Sequence, residues 1–220
     1  MKRTKLKDRS LPVYSRGEDC MNMVTHIVGG GVALVILAAC LLRASTGWDL
    51  AGSWIYGISM VGVYTVSSVY HGLRLGMGKK VMQVLDHCAI YTLIAGTYTP
   101  IMLSAMVPSY PAIGWGLLLW QWGLACIAVT LTAIDLQRYK VFSMVCYIGM
   151  GWSILAFLPQ AMEVMGRDGF GWLLAGGIVY TVGAVLFGIG SKVRWMHSVF
   201  HIFVVAGSVL QAVAVVGYVL

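Results

Sequence analysis

The sequence predicts an all-α integral membrane protein, a seven-transmembrane helix bundle with its N-terminus cytoplasmic and its C-terminus outside. Three observations carry this expectation. Of 220 residues, 59% are hydrophobic and only 10% charged, far from the roughly one-quarter charged that is usual in a globular domain. The apolar residues fall into seven runs, each near the ~20 residues that cross a ~30 Å hydrocarbon core as helix. The Lys and Arg residues gather on alternate connections, as they do on the cytoplasmic side of membrane proteins.

Taken in order, residues 1–17 are a basic segment holding Lys2, Arg3, Lys5, Lys7, Arg9 and Arg16. No apolar region followed by a small-residue cleavage site precedes residue 24, so the first run, 24–43, is expected to be a retained span and not a signal peptide. The second run, 50–71, ends in SSVYH, and its connection to the third carries Arg74, Lys79 and Lys80. The third, 84–103, has Asp86 and His87 at its entrance and Pro100 near its end. The fourth, 112–134, leads to Arg138 and Lys140; the fifth, 141–162, and sixth, 170–190, lead to Lys192 and Arg194; the seventh is 198–219. Only Arg43 and Arg167 fall on the other side.

Seven spans leave no room for a soluble domain, so residues 1–220 read as one unit. The net charge of +7 reflects topology and contact with anionic lipid, and no nucleic-acid partner is expected. Trp48, Trp54, Trp115, Trp172 and Trp195 lie near span ends and read as interfacial anchors. The five cysteines, at 20, 40, 88, 126 and 146, include no CxxC pair and read as packing residues. Gly29–Gly31, Gly176, Gly177, Gly183 and Gly188 read as points of close helix approach.

Polar residues inside the spans are the informative ones, because charge in hydrocarbon is costly and lines a bundle interior or cavity. Alternating the direction of the spans puts Ser67 and His71, Asp86 and His87, and His197 and His201 at one depth, near the cytoplasm. His197 and His201 are i and i+4, one helical face with ~6 Å of rise between them, so both can reach one ion. Ser67 has the same spacing to His71 and can steady that ring or bond a water beside it. Asp86 and His87 diverge by about 100° around the helix, and spacing does not choose between them. Three imidazoles with an open fourth position suit zinc, and a nearby carboxylate can take a proton from water there. His71, His197 and His201, with Asp86 and Ser67, meet that specification. Any one of them alone reads as an ordinary interfacial histidine or cap; their convergence at one depth is what favours a site.

Glu18, Asn22 and His26 form a further i, i+4, i+8 stripe at the start of the first span. They read either as partners that orient the ligands or as the start of a capped amphipathic helix, with His26 ranked below the three other histidines as a ligand. Haem is disfavoured, since two ligands one turn apart on one face suit a compact ion better. An ion pathway would spread ionisable groups through the depth of the bundle, and the middle and outer thirds carry few.

The blocks SSVYH, DHCAIYTLIAGTYTP and HSVFHIFVVAGS resemble, in order and spacing, the three motif regions of the progestin and adipoQ receptor superfamily, specifically its bacterial hemolysin III branch. The resemblance covers nearly the whole chain. It implies seven helices with a cytoplasmic N-terminus and a Zn2+ ion near the cytoplasmic face. By motif match to the adiponectin-receptor branch, the metal ligands fall on His71, His197 and His201, the aspartate acting through water on Asp86 rather than His87, and the serine on Ser67. It further implies amide hydrolysis of lipids such as ceramides in some members, a lipid-homeostasis role in bacterial ones, and a historical label of cytolysin.

Three functions are therefore carried forward. The first is a zinc-dependent lipid amide hydrolase with Asp86 as base and Ser67 positioning water or the oxyanion, its partners being membrane lipids. The second is a non-enzymatic sensor or receptor-like protein with structural zinc. The third is a pore-forming cytolysin, which seven retained apolar spans with short loops do not resemble. A bacterial plasma membrane is the expected location; oligomeric state is open.

Overall fold

The computed structural model of the chain describes residues 3–190 and 193–220; Lys2 and Lys192, counted above among the one-sided cations, lie outside them. The described residues are almost entirely helical and contain no strand. Five helices among them are long and apolar enough to cross a membrane: Arg16–Arg43, Met77–Ser109, Pro111–Ile134, Lys140–Gly188 and Met196–Tyr218.

Helix α1, Arg16–Arg43, starts at a capping box in which Ser15 and Glu18 satisfy each other's backbone donors, and α2, Gly47–Gly72, repeats the device with Thr46 and Asp49. Such boxes fix where a helix begins. α2 is 26 residues long, but its inward face of Ser53, Tyr56, Ser59, Tyr64 and Ser67 lowers its hydropathy below that of the other long helices.

Helix α3, Met77–Pro100, begins seven residues before the expected start at 84. The reason is tertiary: Lys79, read from sequence as loop charge, is 2% exposed and donates to Asp19 at 2.9 Å, so α3 can carry a cation in its first turn. Nor does Pro100 end the helix. A π-helical turn, Ile101–Met106, follows, then a last turn, Val107–Ser109. The π turn lies between Pro100 and Pro108, each of which removes an amide donor from the ladder. A Cβ at Gly52 of α2 would stand 2.8 Å from the Pro100 Cα, so α2 and α3 cross in near backbone contact.

Helix α4, Pro111–Ile134, is followed by α5, Lys140–Trp152, a 3-10 stretch Ser153–Phe157, and α6, Leu158–Gly190. α6 breaks at Gly166, whose φ of 69° and ψ of 168° are non-helical; a positive φ favours glycine. The break falls between the fifth and sixth apolar runs. α7, Met196–Tyr218, packs most extensively on α6, where Gly176 backs on the Gly207 carbonyl and the Gln211 side chain. α1 packs on α2 and α7, α2 on α3, and α3 on α4, whereas α5 touches α6 only lightly. The named tryptophans at span ends are all exposed, and all five cysteines are free.

Candidate metal centre

The end of α2, the second and third turns of α3 and the start of α7 meet at one end of the bundle. His71 stands in the last turn of α2, and His197 and His201 in the first two turns of α7. All three are buried, at 2%, 8% and 2% exposed. One ring nitrogen from each can be chosen so that all lie within 4.8 Å of one another, a set that can hold a metal ion.

The local chemistry fits a cation. His71 Nδ1 lies 3.0 Å from Asp19 Oδ1, which fixes the proton on Nδ1 and leaves Nε2, buried and without a hydrogen-bond partner, as a lone-pair donor. A carboxylate behind a ligating imidazole is the usual arrangement of metal-bound histidines. The Nε2 atoms of His197 and His201 face each other at 3.1 Å, where two unprotonated nitrogens repel unless a cation or proton lies between them.

Supporting contacts come from α1. Asn22 is wholly buried; its Oδ1 accepts from the Ser198 hydroxyl at 2.6 Å, which ties α1 to α7, and its amide nitrogen packs 3.4 Å from His71 Nδ1. Glu18 Oε1 accepts the Trp195 amide at 2.8 Å. Trp195 has φ 65°, the one positive φ at a non-glycine among the described residues, a conformation that costs about 1–2 kcal/mol. Glu18 thus holds the strained turn that launches α7 and sets where His197 begins. His26 stacks on His201 with ring centroids 3.8 Å apart and is outside the ligand set. The stripe therefore reaches the histidine cluster directly at Asn22 and His26 and, at Glu18, through the Trp195 turn.

Asp86 and His87 both face the space beside the triad. His87 Nδ1 donates to the Gln83 carbonyl at 2.8 Å, so it is spent on its own helix, while the Ser67 hydroxyl faces the Asp86 carboxyl. Because α3 begins at Met77, Asp86 lies about 13 Å inside the helix, deeper than the expected entrance position. From this end a cavity of about 140 Å³ runs along α3 past Tyr98, its lining predominantly apolar. Asp86 and Tyr98 are ~18 Å apart by helical rise. Ile148 and Gly151 of α5 line the cavity and are also exposed, beside the sparsely packed α5–α6 seam.

Sequence reasoning missed Asp19, Lys79 and Tyr14. Asp19 had a signal, since it stands at i−3 from Asn22 and so borders the same stripe. Lys79 had none. Tyr14 stacks on the His197 ring at 5.0 Å and lies 5.7 Å from His71, covering the triad. Burial, and then the Asp86, Asp19 and Glu18 carboxylates, hold its phenol above the ordinary range, so it stays neutral and does not compete as a phenolate. The segment before it is pinned at Thr4, whose amide donates to Asp135 at 2.7 Å; that bond does most to hold the Asp135 carboxyl below the usual range.

Asp19 is expected to be a stability residue as well as an orienting one. Asp19→Ala strands the buried Lys79 ammonium, an uncompensated charge worth about 3–5 kcal/mol, so the melting temperature of the purified protein should fall markedly. Lys79→Met in the same chain should restore most of it, whereas metal affinity should remain about 10–100-fold weaker because His71 Nδ1 still lacks its carboxylate.

Comparison with known proteins gives the family. The family described as "Haemolysin-III related" matches residues 14–212. The chain is 35% identical to "Hemolysin-3" of Bacillus cereus, covering 92% of each chain, and 32% identical to the "Hemolysin-3 homolog" of Bacillus subtilis (strain 168), covering 94% of this chain and 96% of that one. It is 26% identical to the human "Monocyte to macrophage differentiation factor" over 85% of this chain and 79% of the relative. With a match that extends from Tyr14 above the triad to beyond its last histidine, the chain belongs to the haemolysin III-related family of membrane proteins.

Proposed function

We propose that the chain is a seven-span protein of the cell membrane in which His71, His197 and His201 hold zinc near the cytoplasmic face, and that it hydrolyses an amide bond of a membrane lipid. The observation that carries this is one juxtaposition: Asp86, Ser67 and His201, one of the three clustered histidines, line an apolar cavity whose wall reaches the outer surface at Ile148 and Gly151 of α5. A soluble substrate has no use for such a wall; an acyl chain does.

Seven crossings follow if α2 is counted with the apolar helices and the break at Gly166 divides two spans. The cations of the N-terminal segment and of the even-numbered connections then lie inside. Residues 1–220 act as one unit. Three imidazoles without a thiolate suit zinc held tetrahedrally with a position left open.

When bound, zinc would polarise the amide carbonyl and acidify water at the site. The Asp86 carboxylate takes the proton of the attacking water and returns it to the leaving amine nitrogen, so that one water yields a carboxylic acid and an amine. Ser67 bonds Asp86 or the oxygen on which charge develops. The apolar walls seat the acyl chain, and Tyr14 covers the site from the opposite side. The role served is membrane lipid homeostasis.

The test is incubation of purified protein in vesicles with a panel of lipid amides, ceramides included, with and without chelation and zinc restoration. Fatty acid release that is lost on chelation and restored by zinc is the expected result. Bound zinc that raises the melting temperature but supports no product would favour a structural ion. Dye release from vesicles at low protein density through a defined pore would favour the cytolysin.

A further inference from the structure

On the flank of the bundle away from the α5–α6 seam, α1 and α2 leave a groove on the outer surface. Gly30, Gly31 and Gly72 line it together with Ile27, Leu34 and Val69, the last three all exposed. The groove exists because side chains are missing: a Cβ at Gly31 would meet nothing within 4 Å, and one at Gly30 only the Tyr64 Cβ at 3.8 Å. Glycines in membrane helices ordinarily let backbones approach, and Gly29 beside them does so against Tyr64 and Val205. Gly30 and Gly31 have no such neighbour.

His26 forms the inner wall. It is 4% exposed, is held by stacking on His201 and by an edge contact with Tyr64, and has both ring nitrogens buried without a hydrogen-bond partner. Buried polar groups in a native protein are nearly always bonded, so this imidazole is waiting for one. It lines the groove as well as the internal cavity. Thr65 and Ser68 add two hydroxyls to the same groove, and among the described residues lining it there is no Lys, Arg, Asp or Glu.

We propose that the α1–α2 groove binds a single-chain lipid with an uncharged, hydrogen-bonding head, of the monoacylglycerol type, the head bonding His26 and the chain lying over Gly30 and Gly31 toward Leu34. A phosphate or carboxylate head finds no cation in the groove, and an unpaired charge there is costly; a hydroxyl or ester supplies what the imidazole lacks. His26 and Leu34 are about 12 Å apart along α1, which aligns the polar end with the triad's end of the bundle and the chain with its middle. The site does not rest on the zinc reading and would persist in a chain whose triad held no ion.

The test uses the full chain in phosphatidylcholine vesicles with a photoactivatable, clickable monoacylglycerol, and, in a parallel arm, a phosphatidylcholine carrying the same photoactivatable chain. The monoacylglycerol is expected to label peptides within residues 23–34 and 61–73. Gly31→Leu, which fills the groove without meeting a neighbour, should lower that labelling about tenfold with the melting temperature unchanged. His26→Phe, which keeps the stack on His201 but removes the ring nitrogens, should do the same. Equal labelling by the phospholipid would make the groove ordinary lipid-facing surface. Labelling unchanged in Gly31→Leu would overturn the site whatever His26→Phe does.

Discussion

Replacing His197 and His201 together by alanine is expected to take bound zinc from about one ion per chain to background and to abolish metal-dependent lipid amide hydrolysis. Two of three donors disappear, and a single imidazole, His71, is left of the set that could hold the ion. The variant should still fold, because the helices that meet there are also joined by Asn22 to Ser198, Glu18 to Trp195 and Tyr64 to Ser208. It should nevertheless lose the increment of stability that a ligand confers on the state that binds it, about 4 kcal/mol when free zinc is a thousandfold above its dissociation constant. Elemental analysis of both proteins, with melting curves taken with and without zinc, reads both effects. Equal metal content in the two would remove the triad from consideration.

How much of this was legible beforehand depended on whether a residue's meaning was local. The apolar runs and the gap between the fifth and sixth of them are local, and the helices follow them, with the break at Gly166 inside that gap. The i, i+4 pair on α7 is local too, and topology brought it to His71. What failed was decided by partners far away in sequence. Lys79 looked like loop charge and is a buried ion pair with Asp19, sixty positions earlier; with that charge satisfied, α3 starts at Met77. The third run was expected to end at 103, just past Pro100, yet the helix continues through a π turn to Ser109, with α2 meeting it at Gly52.

The same distinction explains the split between ligands and their support. Histidines at helical spacing announce themselves, whereas the residues that orient them do so only once helices are docked. Asp19 behind His71 and Tyr14 over His197 are each held by a contact across a helix boundary, and for Glu18, named in the stripe with two readings open, the docked Trp195 turn shows its contact. No periodicity in the first twenty residues specifies which helix end they will meet. The choice of Asp86 over His87, open on spacing, has a local physical basis in the structure: His87 is bonded to its own helix.

Asp86 therefore provides the sharpest separation of catalytic from structural zinc. Asp86→Asn keeps the size and polarity of the side chain but cannot take a proton, and it leaves all three imidazoles in place. Zinc content and melting temperature should match the wild type, while the rate of lipid amide hydrolysis should fall by roughly 10²–10⁴, the usual worth of a positioned general base. Ser67→Ala, which removes only a hydroxyl facing Asp86, should fall much less, about tenfold, one hydrogen bond's worth. The order matters more than either number. A structural ion with an Asp86 that merely fills space predicts no rate difference between these variants, and an Asp86 that ligates the metal directly predicts zinc loss in Asp86→Asn. Measuring metal content and initial rate on the same preparations distinguishes the three, because only a base that touches water and not metal gives full occupancy with a collapsed rate.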